Sequence, residues 1–115
     1  LALFFFLIEP NSLVIRVQQS YMNVRDLQVA LLTTIREEFD HNVTQQIYVS
    51  NDVWSVTKHA KESIVQLVNS CADNIPDELP SIELAKMILE RYGNIEQTPI
   101  DVALAILKNE VKSFY

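Results

Sequence analysis

The chain has 115 residues, 49% of them hydrophobic and 21% charged, and its nine Lys and Arg against fifteen Asp and Glu give a net charge of −6. That length makes one domain, that balance excludes a disordered chain, and cations scattered from Arg16 to Lys112 offer no basic stripe for nucleic acid. Gly93 is the single glycine, where average usage would give about 8, so dinucleotide, Walker and nucleophile-elbow loops are excluded and many tight hairpin turns are disfavoured.

Residues 1–10 read as a segment apart. Leu1 to Ile8 are wholly apolar, but eight residues fall well short of the ~20 that span a bilayer. They are a piece of the domain's core, or else the end of a membrane helix or of a signal peptide. Glu9-Pro10 interrupts the run, and Asn11 and Ser12 offer helix caps.

From Val14 the apolar residues recur at steps of three and four: Val14, Val17, Tyr21, Val24, Leu27, Leu31, Ile35 and Phe39. The spacing predicts one long helix from about Ser12 to Asp40. A competing reading makes Leu13 to Val17 a strand, with a helix starting at Asn23. From His41 to Val49 the pattern is lost, and Ile47-Tyr48-Val49 has the makings of a short extended piece.

Ser50 or Asn51 then caps a helix whose apolar positions are Val53, Val56, Ala60, Ile64, Leu67, Cys71 and Ile75. Pro76 to Pro80 forms a stiff connector. Ser81 opens the next helix, with Leu84, Ala85, Ile88, Leu89 and Tyr92 on one face. Gly93 is expected to end it in a left-handed cap. Thr98-Pro99-Ile100-Asp101 starts the last helix, with Thr98 as cap and Pro99 in the first position. Its stripe is Ile100, Ala103, Leu104, Leu107, Val111 and Phe114. The fold expected is all-α, a compact bundle of about four main helices over residues 11–115.

Candidate chemistry is sparse. Glu38-x-x-His41 has the spacing of one half of a di-iron site, but His59 has Val56 three residues before it. His41, His59 and Cys71 show no paired zinc spacing. Cys71 falls on an apolar face, and His59 is twelve residues away on the same helix, roughly 18 Å at 1.5 Å per residue. The two cannot form a thiol–base pair. No catalytic residue, metal ligand or cofactor is expected, and no enzyme.

Aromatic residues carry what functional signal there is. Phe4, Phe5, Phe6, Tyr48 and Trp54 are the candidate interface residues. Val29 to Leu32 are apolar on successive faces of one helix, which requires a central position or a covering partner. The expectation is a protein–protein interaction or regulatory module, bound to a partner or to itself, in a cytoplasmic setting. The alternative is a membrane-attached sensory or accessory domain whose spanning helix ends near Ile8.

Overall fold

A computed structural model describes residues 2–42 and 50–112. Six helices run through the described residues, with no strand among them: α1 (Ala2–Ile8), α2 (Pro10–Val17), α3 (Val24–Asn42), α4 (Asn51–Asp73), α5 (Ser81–Gly93) and α6 (Pro99–Lys112). The all-α bundle is as expected, but the apolar N-terminal run is itself a helix and the long first helix is two.

α1 is apolar at every position, so packing alone decides which side faces inward. Phe4, Phe5 and Ile8 are fully buried, whereas Leu3 is 58% and Phe6 65% exposed. The inner three sit at i, i+1 and i+4, one helical face. α1 packs on α3 and α6. The Phe4 ring meets Phe39 of α3 edge-on at 5.7 Å, and Phe39 meets Trp54 of α4 at 5.8 Å. Phe4, Phe5 and Ile8 of α1 therefore supply core. Each phenyl ring removed from water is worth about 1.5–3 kcal/mol.

Proline at position 10 drives Glu9 out of the helical region, to φ −58° and ψ 127°. The cap of α2 is then Glu9 rather than Asn11 or Ser12. Its carboxylate accepts from the Ser12 backbone N–H at 3.1 Å and from the Asn11 amide at 2.7 Å. Arg16 donates back to the Leu7 carbonyl at the open end of α1. Residues 13–17 are helical, so the strand alternative is overturned there.

The predicted helix from Ser12 to Asp40 breaks at residues 18–23, because another part of the chain takes over the hydrogen bonds. Val24 N–H donates to the Leu79 carbonyl at 2.8 Å, and Ser81 N–H to the Met22 carbonyl at 3.0 Å. This forms a one-residue antiparallel bridge between Asn23 and Pro80. The Ser81 hydroxyl, buried here, donates to the Gln19 carbonyl and accepts from the Gln18 amide. α3 then restarts on a reciprocal cap. Asn23 Oδ1 accepts from Asp26 N–H at 2.8 Å, and Asp26 Oδ2 from Asn23 N–H at 3.1 Å.

α3 is the central element, packed on α1, α2, α4 and α5. Its buried stripe is Val24, Leu27, Leu31 and Ile35. α4 presents Val53, Thr57, Ala60, Ile64, Val68, Cys71 and Ala72. Thr57 rather than Val56 is buried near the start of that stripe, its hydroxyl donating to the Val53 carbonyl at 2.6 Å. α6 lies across α4 and touches α1. The molecule measures 51 × 29 × 19 Å, two layers of helix at about 10 Å each.

The end of α5 corrects the expectation for Gly93. No glycine in the described residues has a positive φ. Gly93 is the last helical residue, and Asn94 follows at φ −90° and ψ −2°. Asn94 N–H reaches the Arg91 carbonyl and Ile95 N–H the Tyr92 carbonyl. This tightened last turn gives the Arg91 and Tyr92 carbonyls partners without a left-handed residue.

Candidate functional site

The fold brings an early and a late part of the described chain together at one place. The α1–α2 corner meets the end of α5 and the start of α6, and an open groove of about 430 Å³ lies between them. One wall is Phe5, Phe6, Glu9 and Asn11; the other is Tyr92, Ile95, Thr98, Ile100, Asp101 and Leu104. Phe6, Ile95 and Leu104 are exposed large apolar residues. The volume lies within the ~300–1,000 Å³ range typical of ligand pockets.

The polar atoms of the groove are held by helix starts. Thr98 N–H donates to Asp101 Oδ2 at 3.3 Å, and Asp101 N–H to Thr98 Oγ1 at 3.1 Å. That is the cap predicted at Thr98, closed from both sides. Glu9 is engaged in the same way at α2. The Tyr92 phenol is pushed above the ordinary tyrosine range, first by burial and then by the charges of Glu9 and Asp101, against a lowering hydrogen bond with Thr98. The arrangement favours a neutral phenol between two carboxylates. It presents no nucleophile–base pair.

The sequence-derived interface residues separate in space. Phe6 alone of the three phenylalanines is open to solvent, and Phe4 and Phe5 have no exposed surface to offer a partner. Trp54 is half-buried against Phe39, with the Lys58 ammonium 5.9 Å from its ring centroid. It packs against the edge of the core. Tyr48 lies outside the described residues.

The remaining candidates do not assemble into a site. Among the described residues no three of His, Cys, Asp and Glu are grouped so as to hold a metal ion. Glu38 accepts from the Asn42 amide at 2.9 Å, while His41 and His59 are both exposed. Cys71 is fully buried, and burial raises its thiol pKa more than the neighbouring Arg91 charge and hydrogen bond lower it. It is a core residue of α4. No helix among the described residues is long and apolar enough to cross a membrane.

The groove itself was invisible to sequence reasoning. Its walls are almost a full chain length apart, and no periodicity links residues 5–11 to residues 92–104. Ile95, apolar in a polar turn, carried the one available signal, whereas Leu104 was expected on the α6 stripe and is instead 37% exposed.

Over residues 1–114 the chain matches a family described as a family of unknown function (DUF7935), and it belongs to that family. No curated protein and no solved structure matches it.

Proposed function

We propose that this chain is a non-catalytic helical module for protein–protein interaction or regulation, working through the groove between α1, α5 and α6. One observation carries the reading. Phe6, Ile95 and Leu104 stay exposed around a concave surface whose polar side chains are already engaged in capping helices. Exposed apolar groups gathered around a cleft mark interaction sites on soluble proteins more often than single scattered ones do. Phe6 projects from α1, which its buried face anchors in the core, so the contact surface is preformed. A rigid aromatic anchor loses little entropy on docking.

The test is affinity capture from the cells that make the chain, followed by quantitative mass spectrometry. The wild-type chain is compared with a Phe6→Ser, Leu104→Ser double variant of equal stability. A protein recovered with the wild type and lost with the variant is the expected result. Equal recovery of every protein by both chains refutes the reading.

Membrane attachment is the second reading, and Leu3 favours it. Leu3 and Phe6, one turn apart on the outer face of α1, are both more than half exposed. The net charge of −6 opposes it, because anionic lipid surfaces repel an acidic chain. Co-sedimentation with vesicles of mixed neutral and anionic lipid decides between the two.

A further inference from the structure

The groove has a charge sign as well as a shape. The charged side chains on its walls are Glu9 and Asp101, and among the described residues that line it there is no Lys or Arg. Each carboxylate sits at a helix start, whose dipole offsets about half a unit charge. The remainder is still close to one negative charge in a cleft with apolar walls, where fields are screened less than on open surface. Glu9 and Asp101 line the same groove from its two walls, with Tyr92 in the lining as well. Of the aromatic residues that line it, Phe6 is open to solvent, whereas Phe5 is fully buried and Tyr92 nearly so.

We propose that the groove docks a basic, apolar peptide segment of a partner protein, with an aliphatic side chain against Phe6, Ile95 and Leu104 and a Lys or Arg side chain between Glu9 and Asp101. The inference rests on the interaction reading above and adds the chemistry of the partner. The carboxylates keep free lone pairs after capping, since each oxygen accepts more than one hydrogen bond. The exposed Phe6 ring in the same groove suits a guanidinium or ammonium group, which is attracted to ring faces as well as to the anions. An acidic peptide is repelled. A second copy of this chain is disfavoured too. A two-fold contact through this surface would set Glu9 and Asp101 of one copy against the same residues of the other.

The experiment is selection of a displayed random peptide library on the full chain, followed by binding of the selected peptides as synthetic fragments. Leu104→Lys and Phe6→Ser serve as comparison targets. Both positions are exposed, and urea unfolding verifies that each variant keeps wild-type stability. The selected peptides are expected to carry Lys or Arg within one helical turn of Leu, Ile, Met or Phe. Replacing that cation with Glu is expected to weaken binding more than tenfold, and so is Leu104→Lys in the chain. Raising NaCl from about 50 mM to 500 mM is expected to weaken it several-fold through screening. Peptides without net positive charge, peptides indifferent to both variants, or the absence of any enriched peptide overturn the proposal. So does a dimer, seen by analytical ultracentrifugation, that Phe6→Ser dissociates. Cellular capture that depends on Phe6 and Leu104 while the selected peptides show no cation preference keeps the interaction reading and overturns this inference alone.

Discussion

Replacing Gly93 with Ala should stabilise the protein. Composition leads to the opposite expectation, since a lone glycine after a helical stripe reads as a left-handed cap whose loss costs about 1 kcal/mol. In the structure Gly93 has a negative φ and is the last residue of α5. A Cβ built on it meets nothing within 4 Å. The methyl group therefore clashes with nothing, and the unfolded chain loses freedom that the helix does not need. Such a change is worth about 0.4–1 kcal/mol. A terminal position frays, so about 0.5 kcal/mol is the working value. Unfolding entropy of roughly 2.1 cal/mol/K per residue over 115 residues is about 0.24 kcal/mol/K. The melting temperature should then rise by about 2 °C. Thermal unfolding by circular dichroism resolves that shift, and urea unfolding should give a higher midpoint at unchanged m-value. A fall in melting temperature would place Gly93 at positive φ and refute the account of how α5 ends.

Three further outcomes follow from the packing. Phe5→Ala should cost about 3–5 kcal/mol in urea unfolding and Phe6→Ser no more than about 0.5 kcal/mol; equal costs would mean that α1 does not bury one face. Thr98→Ala removes both the α6 cap and the partner of Tyr92 and should cost about 1–2 kcal/mol in thermal unfolding, whereas an unchanged melting point would contradict the reciprocal cap. The fold favours the neutral forms of Tyr92 and Cys71, both raised chiefly by burial. Their contribution is complete below the ordinary values, about 10 and 8.5, and is lost as pH rises through the raised folded values. Stability measured by urea from pH 7 to 11 should therefore decline across the alkaline half. A Cys71→Ala, Tyr92→Phe variant should show a shallower decline, and an identical pH slope would contradict the burial of both groups.

Local signals in the sequence were enough where one helix turn settles the matter. Thr98-Pro99-Ile100-Asp101 and Ser50-Asn51-Asp52 start α6 and α4 as expected, because a cap needs only residues three apart. The break between α2 and α3 could not be found from apolar spacing. The three-and-four rhythm runs straight through Tyr21, which is 81% exposed and outside the core. What stops the helix is the Asn23–Pro80 bridge, made with residues nearly 60 positions further on. Asn23 and Asp26, three residues apart, were a local clue to the restart, and the competing reading began a helix at Asn23 on other grounds. Eight successive apolar residues carry no amphipathic phase, so only the neighbours α3 and α6 decide that Phe5 is inside and Phe6 outside. The same reasoning explains Gly93. Composition identifies a residue able to adopt positive φ, but the tightened turn at Asn94 removes the need for it.

The claim that the α1–α5–α6 groove is the working surface is tested most directly by photocrosslinking in living cells. A photoreactive phenylalanine analogue is placed at position 6, at position 104, or at exposed Glu83 near the far end of α5, about 15 Å along the helix from Gly93. The account predicts one and the same crosslinked protein from positions 6 and 104 and none from position 83. Crosslinking at all three positions alike, or at 83 alone, would contradict it.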